Sequence, residues 1–380
     1  MERLFAPTVS VQHQATVRYC GRALTYFGGC DYLRLSVHPK LIEAAKKAAD
    51  FGLGVAASRR TTGNHPAITA LERELADFFH AESSVLMATG YGMNLALGQA
   101  LSGRFTHALI DDRAHVSLQD ATRFLGAEVR PFRHRDPNSL EKVYRERPSG
   151  ARVIVLTDGM FPLEGTVPPL QEYRRRLGAD VWWWLDDCHA VGTLGPKGLG
   201  SLENVGWSRH QVLQVITLSK ALGSFGGALL ADGATVEQIW DRSDCFVGGT
   251  PPPLPMVAAA RASLRLLKRD SDRIRRLQTS VQWVKQQLVN ARLIPEASPG
   301  PMFLISPNSE AATKRLRRRL LAASIYPSLI HYPGAPEGGA YRFALSSEHS
   351  EEEIGRLLAA IIGVASNVKG RGPGSGGRMG

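Results

Sequence analysis

The chain has 380 residues, 43% hydrophobic and 21% charged, and its 46 Lys+Arg against 35 Asp+Glu give a formal net charge of +11. That composition is globular, and the length exceeds one small core, so a large and a small domain are expected. The opening "MERLFAPTVSVQHQ" lacks the apolar run of a secretory signal, no window offers a membrane span, and four cysteines without paired spacing cannot staple the chain. A reduced, cytoplasmic protein is expected.

Residues 1–40 read as an N-terminal segment, 41–255 as a large domain, 256–365 as a smaller C-terminal domain and 366–380 as a disordered, glycine-rich tail. "PAITALERELADFFH" has helical period, with Asn64 expected as its cap just ahead of Pro66. "SSVLMAT" then reads as a strand, "GMNLALGQAL" as a helix, "THALIDD" as a strand and "SLQDATRFLG" as a helix. Four further apolar runs follow as buried strands: "ARVIVLTDG", "DVWWWLDD", "QVLQVITLS" and "GGALLAD". This rhythm predicts a mostly parallel sheet covered on both faces. The proline-dense "GGTPPPLP" (248–255) closes the region. Helical patterns over 256–292 then lead to two short strands, "MFLISP" and "YRFALSS", and a last amphipathic helix, "SEEEIGRLLAAIIGVA".

In open α/β sheets, ligands sit at the carboxyl ends of the strands, so the polar residues that end each apolar run are the ones to collect. "VWWWLDDCHAVG" offers Asp186 and His189, and "THALIDDRAHVSL" an acidic pair and His115. "SSVLMATGYGMN" brings Gly90 and Tyr91 to a helix N-terminus, where backbone N–H groups suit a phosphate. "VITLSK" ends in Thr217, Ser219 and Lys220, with glycines clearing space beyond the lysine. Singly, each has an ordinary explanation as a cap, a turn residue or a solvated charge. Pyridoxal 5′-phosphate needs them together: a lysine for its aldehyde, a carboxylate for its ring nitrogen, and a helix N-terminus with hydroxyls for its phosphate. No metal is expected.

The chain resembles the α-oxoamine synthase family of fold-type I pyridoxal-phosphate enzymes. The resemblance runs from about residue 25 to 365 on ordered motifs: "CDYLRLSVHP", "SRRTTGNHPAITALERELADFF", "TGYGMN", "DDRAHVSL", "TDGMFPLEGTVPPL", "DDCHAVGTLGPKGLG", "TLSKALGSFGG", "GGTPPPLP" and "YRFALSSEHSEEEI". It implies a large domain built on a mostly parallel seven-stranded sheet between helices, with a smaller α+β domain. It also implies that Lys220 is the Schiff-base lysine, that Asp186 pairs with the pyridine nitrogen, and that His189 bonds the cofactor's phenolic oxygen. His115 would stack on the ring, Gly90, Tyr91 and Thr217 would hold the phosphate, and Arg342 would grip the amino-acid carboxylate. Ser58 and Arg59 would line the entry. Thr250 would reach a neighbour's phosphate in a homodimer with shared sites. Several positions depart from the family pattern: Cys30 replaces an amide near the substrate, Arg34 replaces a glycine, Pro162 replaces a common serine, and Gly248 and Gly249 stand where relatives have Ser or Thr pairs, which leaves Thr250 alone to reach the neighbour.

The implied reaction condenses a small amino acid with an acyl thioester, releasing carbon dioxide and coenzyme A. L-alanine with a pimeloyl thioester, a step of biotin biosynthesis, is favoured; glycine with acetyl-CoA and serine with a long acyl-CoA are the alternatives. Whether coenzyme A or a carrier protein presents the acyl group stays open. Basic runs at 173–178, 268–277 and 314–321 read either as solvated helix faces or as an attraction for phosphate-bearing substrates. A non-catalytic basic scaffold for nucleic acid is the rival reading, but no nucleic-acid motif accompanies the charge, and no nucleic-acid partner is expected.

Overall fold

The computed structural model describes residues 10–11, 15–331 and 339–366; the glycine-rich end, 367–380, lies outside the described residues. Three short strands open the chain, β1 (Ser10–Val11), β2 (Thr16–Tyr19) and β3 (Arg22–Thr25), pairing antiparallel as a small sheet. The β2–β3 turn passes through Cys20 and Gly21, both at positive φ (46° and 74°), the backbone of a tight two-residue hairpin.

The central sheet holds β4 (Ser83–Met87), β5 (His107–Asp111), β6 (Glu128–Phe132), β7 (Val153–Asp158), β8 (Trp182–Asp186), β9 (Val212–Thr217) and β10 (Gly227–Ala231). Their order is β4-β10-β9-β8-β7-β5-β6. From β9 to β6 every pairing is parallel, and β10 alone runs antiparallel to both its neighbours. Strands β5, β7 and β9 are buried at every residue, because helices cover both faces; this is why they read as unbroken apolar runs. Strand β6, "EVRPF", was not legible that way: it is a mostly exposed edge strand, where charges and Pro131 are tolerated.

Helices α1 (Pro39–Ala49) and α2 (Pro66–Phe79) precede the sheet, and α3 (Gly90–Ala100), α4 (Val116–Thr122), α5 (Pro137–Arg145), α6 (Leu170–Leu177) and α7 (Ser201–Val205) connect its strands. Then come α8 (Gly233–Arg242), α9 (Asp244–Val247), α10 (Leu254–Arg269) and α11 (Asp272–Asn290). A last layer comprises β11 (Met302–Ile305), α12 (Glu310–Ala322), β12 (Leu329–Ile330), β13 (Ala340–Ala344) and α13 (Glu351–Ser366), with its sheet ordered β11-β13-β12. One core joins α3, α4, α8 and α9 to the central sheet; a larger one runs from α1, α2 and α10 on the opposite face into α11–α13.

The expected cap of α2 is corrected. His65, not Asn64, is the N-cap, its Nδ1 accepting from Ala67 N–H at 3.1 Å. Asn64 Oδ1 instead accepts from Arg59, which demands an acceptor more strongly than a helix end does. Among the described residues no helix is long and apolar enough to cross a membrane.

Candidate active site

Five strands run toward one edge of the central sheet, and their last residues converge there. Strand β4 leads into Thr89 and Gly90; β5, β7, β8 and β9 end at Asp111, Asp158, Asp186 and Thr217. Gly90 is the first residue of α3, and Thr89, its N-cap, accepts from Gly92 N–H at 2.9 Å. The first helical amides have no partner within the helix, so those of Gly90 and Tyr91 face outward as anion donors. A Cβ at Gly90 would lie 3.0 Å from Cys188 Sγ and 3.4 Å from Thr217 Cβ, so a side chain here would have to push its neighbours back.

Asp186 is 4% exposed. Its Oδ2 accepts from Asn94 Nδ2 at 2.7 Å and its Oδ1 from the Cys188 N–H at 3.0 Å. Both donors are neutral, and no ion pair reaches this carboxylate among the described residues. Beside it in the β7–β8 register stands Asp158. Burial, and then the neighbouring Asp186, push the Asp158 carboxyl well above the usual range. Asp158 therefore holds a proton where an exposed carboxyl would have lost it. Its Oδ2 accepts from the His115 backbone N–H at 2.8 Å, fixing the start of α4.

His115 caps α4, and its Nδ1 meets Ser117 N–H at 3.3 Å and Ser117 Oγ at 2.7 Å. Since the Ser117 amide can only donate, Nδ1 is an acceptor and the ring proton sits on Nε2. Burial lowers the His115 pKa, opposed by Asp186 and reinforced by Lys220. Tyr91 is exposed, its hydroxyl bonded to the Asp120 carboxylate and its ring edge-on to His115 at 6.3 Å.

His189 is buried, and its Nδ1 lies 2.7 Å from Tyr32 Oη. Burial holds the Tyr32 phenol well above its ordinary pKa, so the hydroxyl keeps its proton and donates it to Nδ1. Burial, then Lys220, Arg342 and His115, keep His189 well below the usual histidine value. His189 is thus a neutral ring with its N–H at Nε2.

Lys220 lies in the turn between β9 and β10, half-buried, close enough to act electrostatically on His189, His115, Asp158 and Cys188. Its ammonium has no hydrogen-bond partner among the described residues. Gly223, at φ +64°, lets this turn fold back: a Cβ there would come within 2.4 Å of the Leu35 and Ser36 backbone. Thr217 Oγ1 donates to Gly226 C=O at 3.0 Å and accepts from Ser219 N–H at 3.1 Å, so its one proton is already engaged within the turn.

Arg342 reaches the cluster from β13. Its Nε and Nη2 donate to Pro162 C=O at 3.0 and 2.9 Å, and Nη1 to Gly29 C=O at 3.3 Å. Cys30 and Tyr32 lie beside its guanidinium. The segment carrying Pro162 is itself anchored: buried Lys285 donates to Glu164 C=O at 2.9 Å and to Ser298 Oγ at 2.5 Å. Burial pulls the Lys285 pKa down to about 7.

Three expected residues stand apart from this cluster. Ser58 Oγ donates to Val247 C=O at 2.6 Å, tying its loop to α9. Arg59 is 3% exposed, forked onto the Glu72 carboxylate at 2.5 and 2.9 Å and lying 4.7 Å over the Trp240 ring. That makes it a brace. Thr250 is exposed, without a contact to the cluster among the described residues. Asp111, Asp112 and His134 bring ligand atoms within 4.8 Å of one another, but Asp111 already accepts from His134, Arg113 N–H and Arg135 N–H to close a loop.

Sequence reasoning missed Tyr32, Asn94, Ser117 and Asp158. Asp158 ends an apolar strand, so the strand-end rule could have found it. Tyr32 and Asn94 act through long-range contacts that local pattern does not carry, and Ser117 gains its part only through Asn94. The cluster's chemistry fits pyridoxal 5′-phosphate: outward helix amides beside a glycine cradle for a phosphate, a buried carboxylate with only neutral donors for a protonated ring nitrogen, and an amine beside both.

Residues 24–361 match the family model described as aminotransferase class I and II. The 8-amino-7-oxononanoate synthase of Thioalkalivibrio sulfidiphilus is 35% identical over 347 residues, covering 90% of this chain and 88% of that protein. A Sphingomonas wittichii serine palmitoyltransferase structure is similar with a TM-score of 0.85 at 26% identity, over 93% of this chain and 90% of that one. The crystal structure of 8-amino-7-oxononanoate synthase from Francisella tularensis gives a TM-score of 0.76 at 23% identity, over 90% and 97% of the two chains. At that last identity the likeness speaks for the fold alone.

Proposed function

The chain belongs to the aminotransferase class I and II family of pyridoxal-phosphate enzymes, in its α-oxoamine synthase branch, and from that premise we propose that it joins L-alanine to a pimeloyl thioester with loss of carbon dioxide. The product named for the curated relatives supports this choice. A nine-carbon acid with a keto group at carbon seven and an amine at carbon eight is a seven-carbon pimeloyl chain extended by alanine less its carboxylate. Serine with a long acyl thioester is the second reading, favoured by the likeness to a serine palmitoyltransferase.

The observation that carries the chemistry is Asp186, a buried carboxylate held only by neutral donors, with Lys220 in the turn that follows the adjoining strand β9. When bound, pyridoxal 5′-phosphate supplies an aldehyde for the substrate amine and an electron-withdrawing ring for the charge left at Cα. In this reading Asp186 accepts the hydrogen bond of the ring N–H and so keeps that proton in place. The amides of Gly90 and Tyr91 would hold the phosphate, and Thr217 would donate to it only by releasing the Gly226 carbonyl. His189 donates from Nε2 to the phenolic oxygen, because Tyr32 occupies its Nδ1. Lys220 Nζ would be the amine that holds the cofactor's aldehyde, and the same amine would serve as the base for the Cα proton. Arg342 would grip the substrate carboxylate by giving up some of its present acceptors, the Pro162 and Gly29 carbonyls among them.

Lys220→Ala is expected to leave no borohydride-reducible adduct and no turnover. A reducible lysine adduct at wild-type yield in that variant would remove Lys220 from the role. The substrate is read from a thiol-release panel that crosses alanine, glycine and serine with pimeloyl, acetyl and long-chain acyl thioesters. Alanine with pimeloyl is expected to give the highest kcat/KM; a serine–palmitoyl optimum would replace this reading with the second.

The working unit in this proposal is a homodimer with shared sites, in which Thr250 reaches the partner's phosphate. Phe51 and Leu53 are 87% and 73% exposed, and Phe225, in the Lys220 turn, is 40% exposed. Large apolar side chains this open suit a subunit interface. Leu254 N–H bonds Leu53 C=O at 3.1 Å, joining that patch to the segment carrying Thr250. Sedimentation is expected to give a dimer, and a fully active monomer would overturn this.

A further inference from the structure

Asn94 lies in α3, fully buried, and makes three hydrogen bonds. Its Oδ1 accepts from Trp184 Nε1 at 3.0 Å. An indole N–H can only donate, so it must face the amide's oxygen, and this fixes which end of the amide points where. The Nδ2 end then donates to Asp186 Oδ2 at 2.7 Å and to Ser117 Oγ at 2.8 Å. An NH₂ group has two protons, and these two acceptors use both. The amide cannot turn without breaking all three bonds.

Both links have consequences. On one side, Asp186 has one neutral donor on each oxygen, Asn94 on Oδ2 and Cys188 N–H on Oδ1. That fixes the plane of the carboxylate without cancelling its charge. On the other side, Ser117 Oγ accepts from Asn94, so its own hydrogen is free to go to His115 Nδ1, 2.7 Å away. One amide therefore connects the carboxylate to the histidine ring. Neutrality matters here: an arginine at 94 could aim Asp186 equally well but would pair with it, and an aspartate would repel it.

We propose that Asn94 is a positioning residue for the reaction, aiming the Asp186 carboxylate at the cofactor's ring nitrogen with its charge intact and tying it to His115 through Ser117. The inference rests on the reading of Asp186 given above. A purely structural role, filling the core and satisfying Trp184, makes a different prediction, because it has no reason to act on one atom of the cofactor.

The test titrates apoprotein with pyridoxal 5′-phosphate and with its 1-deaza analogue, in which C–H replaces the ring nitrogen. Wild type is expected to prefer the natural cofactor by about tenfold or more, the worth of a charge-assisted hydrogen bond. In Asn94→Ala that preference is expected to fall several-fold, with affinity for the analogue nearly unchanged. Equal weakening of both ligands, leaving the ratio intact, overturns the inference. No preference in wild type instead overturns the Asp186 reading, and the inference falls with it. If Asn94→Ala does not fold, Trp184→Phe removes only the donor that orients the amide. The ratio is then expected to fall at least about twofold, and an unchanged ratio again overturns the proposal.

Discussion

His349 illustrates burial setting a side chain's charge. It is 7% exposed, stacked on Phe27 at 4.0 Å, with Nδ1 accepting from Ser346 N–H at 2.9 Å. Burial, and then the nearby Arg34, pull its pKa from 6.5 to about 3. Between those values the unfolded chain binds a proton that the folded chain refuses, so stability falls as pH falls through that window. From pH 7 to pH 5 this one group is expected to cost about 2 kcal/mol. His349→Asn keeps an acceptor for Ser346 and removes the titration, so urea unfolding is expected to show a correspondingly smaller acid loss. Equal losses in both proteins would show that His349 does not titrate this way. The same logic explains which site residues could be read in advance. Asp186, Lys220 and His189 announce themselves as polar groups ending apolar runs. Tyr32 and Asn94 look like core residues of a strand-poor segment and an apolar helix, because the bonds that matter join them to residues 157 and 92 positions away.

At the scale of elements, the covered strands were legible because burial on both faces leaves an unbroken apolar signature, as in "VIVLTD" and "VLQVIT". The ribbon β1–β3, the two-residue β12 and the edge strand β6 carry no such signature, being short or exposed. The antiparallel sense of β10 was hidden for another reason: it depends on the turn around Lys220, where Gly223 and Gly226 take φ of +64° and +135°. Glycines supply a sharp test at this scale. A Cβ on Gly227 would lie 2.4 Å from the backbone of Thr89 and Gly90, wedging α3 away from β10. Gly355 sits within α13 with nothing inside 4 Å of its would-be Cβ. The same substitution is therefore expected to have opposite signs. Gly227→Ala destabilises by about 1–3 kcal/mol through overpacking, and Gly355→Ala stabilises by about 0.5–1 kcal/mol through helix propensity. Denaturant midpoints of the two variants check this; shifts in the same direction would contradict it.

Across the whole molecule, the net charge of +11 is unevenly spent. In the first basic run, Arg175 and Arg176 pair with Glu172, and Arg176 also with Glu141. In the second, Arg273 and Arg276 share Glu348, and Arg275 pairs with Asp272. Only in α12 do three exposed arginines, Arg315, Arg317 and Arg318, have no carboxylate partner among the described residues. Pairing within the surface offsets part of the far field of the first two runs, where Arg174, Lys268 and Arg269 stay without a carboxylate partner among the described residues, so α12 carries the densest unpaired positive charge. Coenzyme A carries several phosphate charges and alanine has no net charge, so only the former feels that field at a distance. The Debye length shrinks from roughly 10 Å at 0.1 M salt to roughly 3 Å at 1 M. The KM for an acyl-CoA is therefore expected to rise with salt while that for the amino acid stays nearly constant. Replacing Arg315 and Arg318 with glutamate is expected to remove most of the salt response and leave kcat unchanged, because steering acts on encounter and not on the bound state. A salt response that survives the double replacement would locate the attraction elsewhere, and equal sensitivity for both substrates would reduce all three basic runs to solvated helix faces.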